Sequence, residues 1–447
     1  MKNKIFGTDG IRGIANTQVS ANLAFNIAKA LAIYIINTKT ENEKPKVILG
    51  CDTRKSCHML TSAMCAGLTS MGVNVTQVGI VPTPAVGYLT KEFGFDFGIM
   101  VTASHNSKEY NGIKIINKNG LKLTDEQQEE LTKIFEQVDD YLPCLPEQIG
   151  VIKFKDEYQK YWADYMISCI NCSLNGLRIG LDCAFGASYK LAPYIFKKMG
   201  AVVECFNCED KGEKINLNCG ANNPQFLEVK LKEEKLDIAF AFDGDADRVV
   251  VVTSDAYKLK GDEMLYLIAK YFKQTNDLKN NIFATTILTN YGLDKSLNKL
   301  GINVERVAVG DRSLQKIMCE QDILVGGEDN GHIILGKYDM GSNGLLCALF
   351  LSKMLKEGMN LKKELEEYKP FTQVKIDVNV SQRQKQLCNS AFIKALITEL
   401  EQELEQNGRI IVRPSGTEMV IRILVEGINA MQVEKISKEL ENHIKKL

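Results

Sequence analysis

Three aspartates in the stretch "FAFDGDADR" have the spacing of a metal site. Asp243, Asp245 and Asp247 stand at alternate positions after an apolar run, and "VVVVT" begins directly after Arg248. Unneutralised, these carboxylates would repel one another, whereas three hard oxygen ligands on one short loop suit Mg²⁺. The side chain of Arg248 is then available to bind a phosphate group. The sequence therefore predicts a magnesium site in a tight connection between two strands.

The aspartate loop has three other interpretations besides a magnesium site. A calcium-binding EF-hand loop does not fit, because its sixth position would be Arg248 and its twelfth Ser254. An acidic surface turn is disfavoured because apolar strands flank the loop on both sides. A haloacid-dehalogenase-like sugar phosphatase stays open, with Asp243 as nucleophile and Asp245 as the acid–base group, although Asp247 stands where that pattern has Thr or Val.

The stretch "VTASHN" contains a serine that could carry a phosphoryl group. Ser104 follows a predicted strand, and His105 comes next. Neighbouring side chains are expected to point apart, and no Gly flanks the serine, so a hydrolase triad is disfavoured. A phosphoserine, with a charge of about −1.5 to −2, would bind the metal of the aspartate loop together with Arg12 and Lys114. Taken alone, the stretch fits a capped turn equally well.

The stretch "RPSGTE" is a candidate phosphate-binding loop. Arg413 is followed by Ser415, Gly416 and Thr417, whose hydroxyl and backbone N–H groups can hold a dianion. A plain hairpin turn explains Pro, Ser and Gly, but it requires neither the Arg before them nor the Thr after them. Phosphate binding is therefore favoured over the turn alone.

The stretch "GGEDNGH" suits recognition of sugar hydroxyl groups. Glu328 and His332 provide a carboxylate and an imidazole on a glycine-rich backbone. His332 is a better catalytic candidate than His58 or His443, whose surroundings are helical.

Composition places the chain among ordinary globular proteins. Its 447 residues carry a net charge of −1, which argues against nucleic acid or an anionic membrane as a partner of the whole chain. The N-terminal residues lack the apolar stretch of a secretory signal, and no apolar run reaches the length of a membrane helix, so a cytoplasmic location is expected. Thirteen cysteines indicate reduced thiols; the pairs Cys169/Cys172 and Cys205/Cys208 have zinc-site spacing, but a zinc site is disfavoured because a strand and a helix separate them.

One pattern occurs three times and predicts repeated α/β domains. Residues 68–79, 196–207 and 297–308 each contain a helix end, a glycine and an alternating apolar run, preceded by a strand-like run. Glycines 72, 200 and 301 are expected to be left-handed, and the runs that follow them to be buried strands. After residue 370 the pattern becomes that of a smaller α+β domain. The predicted domains are residues 1–150, 151–254, 255–369 and 370–447.

The motifs as a set closely resemble those of the α-D-phosphohexomutases. "FGTDGIRG", "TASHN" with "NGIK", "DGDADR", a "GGE..GH" loop and "RPSGTE" occur in the order and spacing of that family, from end to end of the chain. "INLNCGANNP" (215–224) and "VGDR" (309–312) resemble the branch of bacterial phosphoglucosamine mutases.

The resemblance implies an isomerase with four domains around a central cleft, heart-shaped in outline, the first three sharing a mixed α/β core. It implies Mg²⁺ bound by Asp243, Asp245, Asp247 and a phosphorylated Ser104. The implied reaction interconverts glucosamine 6-phosphate and glucosamine 1-phosphate through a bisphosphorylated sugar, for UDP-N-acetylglucosamine and cell-wall synthesis. Ser104 would be primed by a sugar bisphosphate or by autophosphorylation, in a monomer or homodimer.

The resemblance also implies roles for the remaining site residues. Arg12 and Arg248 would neutralise charge during phosphoryl transfer, and either Lys114 or His332 would serve as general acid or base. The sugar ring would be held by Glu328, Asn330 and His332, and the distal phosphate by the loop of Arg413, Ser415, Gly416 and Thr417.

Departures from the family pattern concern the substrate more than the chemistry. Asp329 and Asn330 replace a Gln and a Ser, which exchanges a hydroxyl for an amide at a sugar-reading position. Asn343, Ser107 and Cys51 replace a common Asp, Pro and Arg. A phosphomannomutase or phosphoglucomutase of the same superfamily is therefore an alternative, and a catalytically silent sugar-phosphate sensor is another.

Overall fold

The computed structural model describes residues 5–7, 9–39, 43–405, 407–415 and 418–447. The described residues form two compact units. The first unit extends to Ile287 and includes Glu305–Leu361, and the second comprises Leu288–Val304 and Lys362–Leu447.

The first α/β domain contains a mixed sheet of six strands within the described residues, in the order β1-β5-β4-β2-β3-β6. Strands β2, β3, β4 and β6 run parallel, whereas β1 and β5 are antiparallel to their neighbours. The elements are β1 Ile11–Ile14, α1 Ala21–Thr38, β2 Lys46–Cys51, α2 Cys57–Ser70, β3 Asn74–Ile80, α3 Thr83–Glu92, β4 Phe97–Val101, β5 Tyr110–Asn117, α4 Asp125–Glu136 and β6 Ile152–Phe154.

The second α/β domain has the strand order β10-β9-β7-β8, with β9 and β10 antiparallel and the other pairs parallel. Its elements are α5 Glu157–Ile170, β7 Arg178–Asp182, α6 Leu191–Lys198, β8 Val202–Phe206, α7 Gln225–Glu234, β9 Ile238–Phe242 and β10 Val249–Thr253.

The third sheet has the order β12-β11-β13-β14-β15 and is also mixed. The elements of this stretch are α8 Gly261–Gln274, β11 Ile282–Thr286, α9 Tyr291–Lys299, β12 Asn303–Val307, α10 Asp311–Gln321, β13 Val325–Gly327, β14 Ile333–Leu335, β15 Asp339–Ser342, α11 Gly344–Lys356 and α12 Leu361–Glu364.

The C-terminal stretch forms an antiparallel sheet in the order β16-β18-β17. Its elements are β16 Thr372–Asn379, α13 Gln382–Leu387, α14 Ala391–Glu403, β17 Gly408–Pro414, β18 Val420–Gly427 and α15 Ala430–Lys445. Alternate residues of β18 are buried against α15, because successive strand side chains point to opposite faces of a sheet. The predicted fold class, three α/β domains with mixed sheets and a smaller α+β domain, is confirmed.

The three repeated glycines adopt the backbone conformation that the sequence predicts. Gly72, Gly200 and Gly301 have φ of 89°, 97° and 70°, and each follows the last turn of a helix. The prediction of buried strands after them is wrong for two of the three. Strands β8 and β12 lie at sheet edges, where a strand has a neighbour on one side only, and Val202 at the start of β8 is 48% exposed.

The most apolar helix packs inside the first domain. Helix α1 is capped by Ser20, whose hydroxyl accepts the N–H of Leu23 at 3.1 Å, and it buries most of its Ala and Ile residues in the domain core. Within the described residues, no helix has both the length and the apolar character that a membrane crossing needs.

We expect the Gly301→Ala substitution to lower stability by about 1–2 kcal/mol, because a left-handed residue with a Cβ is strained. The space around Gly301 is open, so no steric clash adds to this cost. Urea denaturation of the protein measures the effect. Gly301→Asn is the matched control, since Asn tolerates this conformation. An Ala variant as stable as the Asn variant would contradict the prediction.

Candidate active site

The aspartate loop connects the antiparallel strands β9 and β10, whose ends pair at Phe242 and Val249. Gly244 is required in this loop by a close approach: a Cβ at this position would lie 2.5 Å from the carbonyl oxygen of Ser104. The aspartate loop and the loop of Ser104 are therefore in direct backbone contact.

The three aspartates of this loop form a buried cluster. Asp243 and Asp245 are 0% exposed and Asp247 is 2% exposed, and one carboxylate oxygen of each lies within 4.8 Å of the others. Burial, together with Asp247 and Asp245, raises the pKa of Asp243 to about 8. Within the described residues, Oδ1 of Asp245 is buried without a hydrogen-bond partner. A set of hard oxygen donors with one orphaned buried atom fits a divalent cation.

Ser104 lies against this cluster. Its side chain is fully buried, and Oγ donates a hydrogen bond to Oδ2 of Asp243 at 2.6 Å. Ser104 has a φ of 51°, a left-handed conformation that costs an L-residue about 1–3 kcal/mol and is typical of functional sites. The structure thus brings the predicted phosphoryl carrier and the predicted metal ligands together.

The next residue, His105, corrects one expectation from the sequence. The side chains of Ser104 and His105 do not point apart, since Oγ lies 3.5 Å from Nδ1 of the imidazole. The left-handed turn at Ser104 breaks the alternation that an extended strand would impose. Burial, with the charges of Arg248 and Arg12, lowers the pKa of His105 to about 4, so the ring is neutral at pH 7.

Lys114 reaches the aspartate cluster from strand β5. Its Nζ donates to Oδ2 of Asp245 at 2.7 Å and to Oδ2 of Asp247 at 2.9 Å. Burial would lower the pKa of Lys114, but Asp245, Asp247 and Asp9 more than offset it and hold the pKa well above its usual value. Lys114 is therefore a cation that neutralises part of the charge of the cluster.

Arg12 stands on β1, opposite Gly112 of β5. It forms an ion pair with Asp9, and its Nη1 donates to Oδ1 of Asn106 at 3.4 Å, two residues beyond Ser104. Asp9, to which the sequence motifs above assign no role, also forms ion pairs with Lys114 and Lys122. The signal available was its position in "GTDGIRG", three residues before Arg12.

His332 and Glu328 reach the aspartate loop from the third domain. Nε2 of His332 lies 3.1 Å from Oδ1 of Asp247, and Nδ1 lies 3.1 Å from Oε2 of Glu328. Burial would lower the pKa of His332, but Asp247 and Glu328 raise it to about 9. Nε of Arg248 lies 2.8 Å from Nε2 of the same ring.

The remaining residues of the "GGEDNGH" stretch shape the loop of His332. Oδ1 of Asn330 accepts the backbone N–H of His332 at 3.0 Å, and the Asn330 side chain is exposed. The backbone N–H of Gly310, in the "VGDR" segment, donates to Oε1 of Glu328 at 3.1 Å. The hydrogen bond from Asn330 thus holds the backbone of His332 within its own loop. Asp329 stands between Glu328 and Asn330 in the sequence.

The predicted phosphate loop belongs to the second unit. Arg413 on β17 pairs in register with Arg422 on β18, and burial together with Arg422 lowers the pKa of Arg413. Ser415 is buried, and its Oγ accepts the N–H of Glu418 at 3.2 Å. Gly416 and Thr417 lie outside the described residues. Arg422 forms ion pairs with Glu418 and Asp377, and the sequence did not mark it because only the hairpin register places it opposite Arg413.

Four family models match consecutive parts of the chain. Those for the phosphoglucomutase/phosphomannomutase alpha/beta/alpha domains I, II and III match residues 3–142, 156–256 and 260–371, and that for the C-terminal domain matches residues 375–443. The chain belongs to the phosphoglucomutase/phosphomannomutase family.

Relatives within this family span the whole chain. A phosphoglucosamine mutase of Clostridium tetani is 39% identical over 447 residues, which cover 99% of both chains. That of Caldicellulosiruptor saccharolyticus is 38% identical over 444 residues, covering 98% of this chain and 97% of the relative.

Solved structures of other proteins share the fold of this chain. A family member from Burkholderia thailandensis has a TM-score of 0.82 at 22% identity and covers 100% of this chain and 98% of its own. The Aspergillus fumigatus N-acetylphosphoglucosamine mutase, solved in complex with GlcNAc-6P and magnesium, has a TM-score of 0.64 at 16% identity, covering 98% and 94%.

We expect Asp245→Asn to weaken binding of a divalent ion by about tenfold or more, since it removes a charged oxygen ligand. Mn²⁺ titration followed by electron paramagnetic resonance measures this affinity. Asp182→Asn is the matched control, because Asp182 is equally buried but accepts hydrogen bonds from the backbone of Ala184 and Gly220. Equal affinities in the two variants would contradict a metal site at the aspartate loop.

Proposed function

We propose that the protein is a phosphoglucosamine mutase, which interconverts glucosamine 6-phosphate and glucosamine 1-phosphate through a phosphoserine and a bisphosphorylated sugar. The observation that carries this proposal is the identity of 38% and 39% to proteins of that name over nearly the whole chain. The hydrogen bond from Ser104 to the aspartate cluster supports the chemistry.

We further propose that Asp243, Asp245, Asp247 and the phosphoserine oxygen bind Mg²⁺. When bound, Mg²⁺ supplies positive charge that stabilises the phosphoryl group in transfer. The burial of all three carboxylates and the orphaned oxygen of Asp245 support this assignment.

Ser104 is proposed to carry the phosphoryl group in both half-reactions. In the first, the bond between phosphorus and Oγ breaks, a bond to a sugar hydroxyl oxygen forms, and the hydroxyl proton is transferred to a base. In the second, the bisphosphorylated sugar has turned around: the bond between its other phosphorus and the sugar oxygen breaks and a bond to Oγ forms. Oγ, which took up a proton when its phosphoryl group left, gives that proton to a base, and an acid protonates the sugar oxygen. Sugar bisphosphate or autophosphorylation would supply the first phosphoryl group.

Proton transfer is assigned to the groups that contact the aspartate loop. Lys114 and His332 both lie within hydrogen-bond distance of Asp247, so both stay candidates for general acid and base. Arg12 and Arg248 are proposed to neutralise the phosphoryl charge. The guanidinium group of Arg12 donates to Asn106 in the Ser104 loop, and that of Arg248 lies 3.9 Å from Oδ1 of Asp247.

Substrate recognition is assigned to two loops. Glu328, Asn330 and His332 are proposed to bind sugar hydroxyl groups, and the loop of Arg413, Ser415, Gly416 and Thr417 to bind the distal phosphate. The position of Arg413 near the end of β17, two residues before the buried Ser415, supports the second assignment. The same loop would accept either end of the bisphosphorylated sugar, as the mutase reaction requires.

A cytoplasmic enzyme acting on a small sugar phosphate fits these observations. The thirteen cysteines all lie within the described residues and are free thiols. The choice between monomer and homodimer stays open as a prediction from the sequence.

We expect Ser104→Ala to lower turnover of glucosamine 6-phosphate by about 10⁴-fold or more, because it removes the atom that carries the phosphoryl group. A coupled assay with a sugar bisphosphate primer measures turnover. Ser107→Ala, an exposed serine of the same loop, is the matched control.

Mass spectrometry of the wild type should place a phosphate on the peptide of Ser104 that resists hydroxylamine. A hydroxylamine-labile adduct would assign the phosphoryl group to Asp243 and support the phosphatase alternative. Ligand binding without turnover in the wild type would support the sensor alternative.

We expect kcat/KM for glucosamine phosphate to exceed that for glucose or mannose phosphate by about tenfold or more. The physical reason is that polar atoms placed to bind the amino group of the sugar stay unpaired when the sugar carries a hydroxyl group instead. Competition assays with the three sugar phosphates measure this ratio, and Asn330→Ser tests the contribution of the amide. Equal values for the three sugars would favour the phosphomannomutase/phosphoglucomutase alternative.

A further inference from the structure

The carbonyl groups of the Ser104 loop are bound by side chains from outside the loop. Nη2 of Arg54 donates to the carbonyl oxygens of Ser104 and Asn106, at 3.0 Å and 2.7 Å. Nη1 donates to the carbonyl oxygen of Tyr110 at 3.0 Å and to that of Ser107. One guanidinium group thus binds four backbone carbonyls between residues 104 and 110.

Arg54 is itself held in a fixed position. Its side chain is 0% exposed, and Nε donates to Oδ2 of Asp52 at 2.9 Å. The same carboxylate oxygen accepts the hydroxyl of Thr102 at 2.7 Å, and that hydroxyl accepts the N–H of Ser104 at 2.9 Å. The network therefore holds Ser104 by its N–H and by its carbonyl oxygen.

The second domain contributes donors to the same carbonyls. Nδ2 of Asn216 donates to the carbonyl oxygens of Ser104 and Asn106, at 2.8 Å and 3.0 Å. Nδ2 of Asn222 donates to the carbonyl oxygen of His105 at 2.7 Å. Both asparagines belong to the "INLNCGANNP" segment, to which the proposed function assigns no role.

These contacts fix the conformation of the Ser104 loop, which matters at a phosphoryl-transfer site. A serine with φ of 51° keeps this conformation only where its surroundings determine it. Carbonyl oxygens are the negative ends of peptide dipoles, so a loop free to turn them toward a transferring phosphoryl group would oppose the reaction. Hydrogen bonds from Arg54 and Asn216 hold these carbonyl oxygens and prevent such a turn.

We propose that Arg54 and Asn216 are positioning residues for phosphoryl transfer. They hold the loop in the one conformation that keeps Oγ of Ser104 beside Asp243. This inference rests on the proposed function, because it concerns the rate at which Ser104 gains and loses its phosphoryl group. Neither side chain needs to touch the sugar.

The test compares Arg54→Lys and Asn216→Gly with the wild type. Lys keeps the charge but replaces the planar fork of donors with a single ammonium group. Gly keeps the left-handed conformation that Asn216 has, at φ of 58°, and removes only the donor. Because a misplacement of about 1 Å can cost ~100-fold in rate, we expect kcat to fall by about 10–100-fold with KM within about threefold.

Two substitutions serve as matched controls. Arg306→Lys alters another arginine that donates to a backbone carbonyl, that of Thr286 at 2.7 Å. Asn207→Gly alters another left-handed asparagine of the second domain, whose Nδ2 donates to Asp182 at 3.1 Å. Melting temperatures of all four variants separate a loss of stability from a loss of positioning.

Rapid-quench measurement of phosphoryl transfer from phosphorylated enzyme to glucosamine 1-phosphate provides the decisive rate. Slow transfer in Asn216→Gly at a melting temperature equal to that of Asn207→Gly supports the proposal, even where Arg54→Lys does not fold. Unchanged transfer rates in Asn216→Gly and in any folded Arg54→Lys would overturn it. A wild type that neither turns over nor carries phosphate on Ser104 would instead overturn the proposed function, so the two failures are distinguishable.

Discussion

The structure of the site depends on the neutralisation of three buried carboxylates. Asp243, Asp245 and Asp247 lie within 4.8 Å of one another, where each pair of unit charges repels by roughly 4 kcal/mol in a protein-like medium. Lys114 and His332 compensate part of this charge. The orphaned oxygen of Asp245 faces none of these cations directly, which is why the cluster fits a divalent ion better than a closed ion-pair network.

The topology of the sheets explains why residues so distant in sequence lie close together. In each of the first three sheets a polar loop follows a strand: Ser104 follows β4, the aspartates follow β9, and Glu328 follows β13. Open α/β sheets bind ligands beyond the carboxyl ends of their strands, so repetition of one βαβ unit provides three such loops. Backbone contact between the Ser104 loop and Gly244 brings two of them within hydrogen-bond reach.

Phosphoryl transfer depends mainly on charge neutralisation and on the positioning of the reacting groups. Different residues of this protein meet these two requirements. Charge is supplied by side chains that point at the aspartates, such as Lys114. Position is supplied by side chains that bind the backbone of the serine loop, such as the buried Arg54. The left-handed serine is the point at which these two sets of residues meet.

The sequence by itself determined the aspartate cluster, the serine, the three left-handed glycines and the fold class, because short motifs and local periodicity carry these features. It did not determine the burial of β8 and β12, which depends on where each strand stands in its sheet, nor the orientation of His105, which depends on one dihedral angle. Tertiary structure alone decided that Arg54, Asn216 and Arg422 stand beside the candidate site residues. The physical reason is that sheet register and loop packing set their positions, and no local pattern records either.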